Sequence, residues 1–259
     1  MKLVSARLLV ILLAGCISNE LHAEDPRVLV YTRNHVSTGE GYVHDNIAAS
    51  VAMVRQLGST NGFDVDSSDN PKVFTSENLK KYRALIFSNS NNEAFENEAQ
   101  REAFKGFVQS GGGFVGIHSA SGSERQWPYF WSVVGGKFKR HPPLQKFTIH
   151  VLDKNHPATR HLGATWQWED EFYILDHLNP RIQVLLAGDL STVHDPDKSG
   201  YPGKAFGDLF PLAWRQEFDG GRQFYTALGH KIEYYDDPNF RQHVLGGILW
   251  VLRGDEAKP

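Results

Sequence analysis

Gly111-Gly112-Gly113-Phe114-Val115-Gly116-Ile117-His118-Ser119-Ala120 is the stretch that decides the fold. The leading glycines stop a helix. An apolar run follows that suits a strand buried on both faces, and His118 closes it. Gly116 inside the strand lets a neighbouring backbone or side chain approach closely. Its small size also suits a tight turn on which a reactive side chain is displayed. A buried strand with a hydrogen-bonded histidine is the competing reading of the same residues.

Towards the amino terminus the pattern alternates. Val28–Tyr31 reads as a buried strand, and Thr32 to Val43 as a polar loop. Ile47, Val51, Val54 and Leu57 recur at helical spacing, so a helix is expected from about His44 to Leu57, ending near Gly58. Weaker strand character lies at Phe63–Val65, and a further strand at Ala84–Phe87 runs into a Ser88–Asn92 loop. Ala99, Ala103, Phe104, Phe107 and Val108 make the next helical face. Strand, helix, strand, helix, strand implies parallel strands with helices on both faces, an α/β three-layer sandwich with a mostly parallel central sheet. Ligands of such sheets bind outside the carboxyl ends of the strands. There this chain carries Arg33-Asn34-His35, Ser88–Asn92 and His118–Ser121.

The second half is less regular. Gln126–Val134 reads as a short helix, and Phe147–Leu152 and Ile182–Leu186 as strands. Leu212–Phe218 and Arg222–Ala227 read as a hairpin about Asp219-Gly220-Gly221, a spacing longer than a two-residue turn. Phe240, Val244, Leu245, Ile248 and Leu249 define a last helix. No internal repeat appears, and residues 24–259 read as a single domain.

Residues 1–23 read as a signal peptide: Lys2 and Arg7 precede the apolar run Leu8–Ala14, which is too short to span a bilayer. Leu21-His22-Ala23 offers one processing site. Leu13-Ala14-Gly15-Cys16 resembles a lipobox and offers another, with Cys16 as a lipid anchor and the sole expected membrane contact. Either implies a periplasmic or secreted protein. Cys16 is the one cysteine, so the mature domain is expected to hold no disulfide, cysteine zinc site or thiol nucleophile. The net charge of −3 and the lack of a basic patch argue against a nucleic-acid partner.

Chemistry is expected of histidines and carboxylates. His118 and His230 each end an apolar run, and His35 and His44 flank the loop after the first strand. Neutral imidazole serves as a general base or a metal ligand near neutral pH. No close His pair gives metal-site spacing, so capping of strands competes with convergence on a site. Trp168-Glu169-Asp170-Glu171-Phe172-Tyr173 sets carboxylates among aromatics, which suits either a solvated loop or a sugar site. Trp127, Trp131, Trp166, Trp168 and Trp214 could stack on a pyranose or simply pack. No phosphate loop, Gly-x-Ser-x-Gly elbow or dinucleotide fingerprint is present.

From Val28 to about Leu252 the chain resembles the trehalose-utilisation, or ThuA-like, family. The resemblance rests on Gly41–Ile47, Gly111–His118, Trp127–Phe130 with Val134–Phe138, Asn155–Pro157, Asp170–Tyr173, Pro211–Trp214 and Phe224–His230. It implies a flavodoxin-like fold similar to class I glutamine amidotransferases, with His118 where those enzymes carry the nucleophilic cysteine and His230 where they carry the histidine. Without a mature cysteine, thiol amidotransfer is excluded. The resemblance also implies carbohydrate metabolism, with a small sugar or keto-sugar as partner. The resulting expectation is a hydrolase, lyase or isomerase with His118, His230, Glu171 and Asp170 as catalytic groups. Substrate would meet His44, Ser119, Asn89, Trp127 and Tyr173. The sequence requires no cofactor, but a divalent metal such as zinc would take His44, His118 and His230. A non-catalytic sugar-binding module is the alternative.

Overall fold

In the computed structural model, which describes residues 25–37, 41–197 and 207–254, Val28 to Tyr31 are all buried, as a strand covered on both faces requires. The expectations for residues 1–23, Cys16 included, lie outside the described residues. The elements, in chain order, are β1 (Arg27–Tyr31), β2 (Asn34–His35), α1 (Ile47–Asn61), β3 (Asp64–Ser68), α2 (Ser76–Leu79) and β4 (Ala84–Ser88). Then come β5 (Asn91–Asn92), α3 (Glu98–Gln109), β6 (Gly113–Ile117), α4 (Pro128–Val134), β7 (Lys137–Arg140) and β8 (Gln145–Val151). The chain continues through β9 (Thr165–Asp170), β10 (Ile174–Asp176), β11 (Gln183–Asp189), β12 (Leu209–Phe218), β13 (Gly221–Thr226) and α5 (Pro238–Arg253).

Nine strands form one sheet in the order β3-β1-β4-β6-β13-β12-β11-β8-β9. The pairings from β3 to β13 are parallel. Those from β13 to β9 are antiparallel. The short β7–β10 and β2–β5 pairs stand apart. Successive residues of a strand face opposite ways, which separates the layers. A side chain at Gly113 would strike Val251 of α5, whereas Phe114 meets Phe104 of α3 and Phe130 of α4. Helix α5 therefore covers one face, together with α1 against it, and α3 and α4 cover the other. Phe87, Phe95, Phe104, Phe114 and Phe130 form one continuous aromatic cluster.

Three expectations need correction. Helix α1 starts and ends later than expected: Gly58, taken as its stop, lies inside it, where a side chain would strike the Phe63 carbonyl, and the left-handed cap is Gly62 (φ 70°). The β12–β13 turn has two residues, Asp219 (φ 50°) and Gly220 (φ 93°), because Gly221 already pairs with Phe218. Two positive φ values in an Asp-Gly pair match the twist of a tight hairpin. The acidic run is no loop either, since Trp168, Glu169 and Asp170 end strand β9.

His243 of α5 is fully buried; its Nδ1–H donates to the Ala158 carbonyl at 2.8 Å, and its Nε2 has no partner. Burial lowers its pKa to about 3, against about 6.5 in an unfolded chain. Between those values the unfolded state binds the extra proton. The contribution is therefore fully present above pH 6.5 and is lost as pH falls, by at most ~1.4 kcal/mol per pH unit. Urea midpoints should fall between pH 7 and pH 4.5, and fall less in His243→Gln; an identical fall in both proteins would contradict this assignment.

Candidate active site

His118 follows β6 in a left-handed conformation (φ 51°) that opens a 3-10 turn over His118–Gly122. Such a backbone is costly for a non-glycine residue unless its surroundings hold it. Tyr225 does so: its hydroxyl donates to the His118 carbonyl at 2.8 Å and bonds Ser121 Oγ at 2.8 Å. The Tyr225 ring occupies the space above Gly116, where an added Cβ would lie 2.8 Å from its Cδ2. The imidazole is fixed as well. Its Nδ1–H donates to the Ala227 carbonyl at 2.8 Å, and Nε2 lies 2.9 Å from the Tyr173 hydroxyl. The Tyr173 ring stacks on it at 4.3 Å.

His230 follows β13 and is held by its backbone. Asp170, fully buried at the end of β9, accepts from Gly229 N–H at 2.8 Å and His230 N–H at 3.3 Å. The same carboxylate accepts from Trp168 Nε1 and Glu171 N–H, each at 2.9 Å. On the other side, Asn46 Nδ2 donates to the Gly229 and His230 carbonyls at 2.8 and 2.6 Å. His44 precedes α1 and bonds Ser119 Oγ through Nδ1 at 3.3 Å.

These turns bring His44, His118, Glu171 and His230 together, each offering one ligating atom within 4.8 Å of the others. Glu171 Oε2 lies 3.5 Å from His118 Nε2 and 3.3 Å from His230 Nδ1, while Oε1 lies 3.4 Å from His141 Nε2. Burial, reinforced by its two histidine neighbours, pushes the His44 pKa down to about 3. Burial also lowers that of His230. Burial pulls Glu171 upward, but its interactions with His118, His141 and His230 outweigh it, and its pKa is lowered. Asp170 is raised, by burial first, against the opposing pull of His118 and its N–H donors. At neutral pH the cluster thus holds an ionised carboxylate among imidazoles, with His44 and His230 neutral. Among the described residues, His44 Nε2 and His230 Nδ1 are buried with no hydrogen-bond partner, the latter having only the Glu171 Oε2 contact at 3.3 Å.

A cavity of about 250 Å³ opens beside the cluster, lined by His44, Ser119, Glu171 and Tyr173 together with Tyr42, Asn91, Gly122, Arg125, Phe138 and His141. Six of the expected site residues meet here: His44, His118, Ser119, Glu171, Tyr173 and His230. Asp170 lies behind them as a positioning group that touches no solvent. Asn89, expected to bind substrate, is instead buried scaffold, bonded to Tyr235 Oη and Asn46 Nδ2. Trp127, also expected there, packs on Phe95 and Phe104 in the aromatic cluster. His35 stays apart near Glu93. Trp131, Trp166, Trp168 and Trp214 pack elsewhere in the domain, and none lines the cavity. Nothing in the sequence singles out Asn91, Arg125 or His141 as cavity residues, and Tyr42 stands out only as part of the Gly41–Ile47 motif.

Gly116→Ala forces the new methyl against Tyr225 or moves its ring, with an expected cost of about 1–3 kcal/mol. Urea denaturation checks this; an unchanged midpoint would show that Tyr225 yields freely.

A family model described as trehalose utilisation, ThuA, matches residues 27–251. The crystal structure of a protein described as ThuA-like from Bacteroides uniformis superposes with a TM-score of 0.67 at 23% identity, covering 93% of this chain and 97% of that one. A second such protein, from Parabacteroides merdae, gives 0.66 at 18% identity, covering 90% and 91%. Part of a β-galactosidase from Bacillus circulans gives 0.53 at 17% identity, covering 90% of this chain and 31% of that one. At these identities the likenesses show the fold. No curated protein sequence matches the chain.

Proposed function

The chain belongs to the trehalose-utilisation (ThuA) family, and on that premise we propose that it is a carbohydrate-acting enzyme whose His44, His118, His230 and Glu171 hold a divalent metal beside a sugar-sized cavity. The observation that carries this reading is the convergence of four donors, two of them buried nitrogens without a hydrogen-bond partner. Leaving a buried polar atom unpaired costs about 1–3 kcal/mol, so an arrangement that aims two at one point favours a ligand there.

The donor set fits. Donors around a tetrahedral ion with bonds near 2.1 Å sit about 3.4 Å apart, close to the 3.3 and 3.5 Å separating Glu171 Oε2 from two of the histidines. The widest separation, 4.8 Å, must close by about 1.4 Å. His118 and His44 are oriented by bonds from their other nitrogens to Ala227 and Ser119, as metal-binding histidines generally are. Three imidazoles and one carboxylate suit zinc and other first-row divalent ions.

When bound, such an ion supplies Lewis acidity towards a substrate oxygen. The chain's own residues do the rest. Tyr42, Phe138 and Tyr173 give the cavity the aromatic lining that the tryptophans do not. Ser119 and Asn91 line the same cavity and can bond sugar hydroxyls. His141 Nε2, held near Glu171 Oε1, can exchange a proton with a sugar or keto-sugar hydroxyl. The positively charged, then apolar, amino-terminal segment supports setting this activity in an exported protein.

Protein purified without chelator should carry about one equivalent of divalent metal by elemental analysis. His118→Ala and His230→Ala should each lose most of it, along with turnover of keto-disaccharides. Metal-free protein with full activity, or a His118→Ala variant with unchanged turnover, would overturn the reading.

A further inference from the structure

Arg125 follows the 3-10 turn that carries His118, is exposed, and lines the cavity beside the His44–His118–Glu171–His230 cluster. Its guanidinium is fixed on one side only. Nε donates to the Gly122 carbonyl at 3.0 Å, Nη2 donates to Asn91 Oδ1 at 3.1 Å, and the group lies 5.4 Å from the Phe138 ring centroid. The bare backbone at Gly122 makes this possible, since an added Cβ would lie 2.5 Å from Asn91 Oδ1 and 3.3 Å from Arg125 Nη2. Nη1 has no hydrogen-bond partner among the described residues.

The charge is also uncompensated. Glu124, next in the chain, is committed to Arg101 and to the Ala94 and Phe95 N–H groups. Glu171, across the cavity, is committed to His118, His141 and His230. Among the described residues no carboxylate pairs with Arg125. A guanidinium whose plane is set, whose Nη edge is open and whose acidic neighbours are engaged is preorganised for an oxyanion.

We propose that Arg125 selects a small sugar carrying an anionic oxygen group, a carboxylate or a phosphate, over the neutral sugar. This rests on the carbohydrate reading of the cavity given above. The Nη1–Nη2 edge would take the anionic group while the ring lies against Tyr42, which is exposed in the cavity lining. The selection is an affinity difference that needs no turnover to measure.

Isothermal calorimetry on the purified full chain, with glucose, glucuronate and glucose 6-phosphate as probes, tests it. An anionic sugar should bind about tenfold tighter than glucose; which one gains distinguishes carboxylate from phosphate. Arg125→Gln should erase the gain, and Arg125→Lys should restore part of it. Equal binding of all three sugars, or a preference that survives in Arg125→Gln, would overturn the assignment while leaving the carbohydrate site standing. Binding of none of them would remove both.

Discussion

Asp170 has no solvent exposure and accepts hydrogen bonds from four N–H groups: Trp168 Nε1 and the backbone of Glu171, Gly229 and His230. A buried carboxylate is costly unless its oxygens are satisfied, and here satisfaction requires two distant segments to meet. In sheet order β9 lies at one edge and β13 is separated from it by β12, β11 and β8. The end of β9 nevertheless reaches the loop after β13, and the carboxylate bonds the two together there. Glu171 follows Asp170 directly and His230 follows Gly229 directly, so this one set of bonds sets the distance between two of the four clustered donors.

The other two donors come from the parallel half. The end of β6 delivers His118 through a left-handed turn that Tyr225 and Ala227, on and just after the neighbouring β13, hold in place. His44 comes from the loop after β1 and leans on Ser119 of the same turn. Asn46 completes the closure by binding the Gly229 and His230 carbonyls from the side opposite Asp170. The parallel strands thus supply the edge on which ligands are expected, and the antiparallel strands bring an acidic wall to it.

The parallel half was legible because its signals are local. Short apolar runs, helical periodicity and strand-end polar residues each sit within a few positions of one another, and their alternation along the first half places His118 on the ligand edge. The family resemblance added the pairing of His118 with His230 and a reason to look at Asp170–Tyr173. Less could be read where a residue's role depends on distant packing. Asn89 stands in a strand-end loop like a binding residue, yet Tyr235 and Asn46 consume its side chain. Trp127 has the aromatic face a sugar needs but is absorbed by Phe95 and Phe104. Asp170 and Glu171 are adjacent acids with opposite fates, because alternation at the end of β9 buries one and turns the other to the histidines. Arg125 and His141 carry no motif, and only the folded chain brings them to the cavity.

On the metal-binding proposal, the Asp170 clamp assembles the donor tetrad from both halves of the sheet. The direct measurement is the divalent-metal affinity of Asp170→Asn, by competition with a chromophoric chelator, on protein shown to be folded by circular dichroism. An amide offers one acceptor oxygen where the carboxylate offers two, so the Gly229–His230 turn should loosen. The account predicts an affinity loss of about 10–100-fold, the range for groups that orient metal ligands. A folded Asp170→Asn protein that binds metal as tightly as the unaltered chain would contradict it.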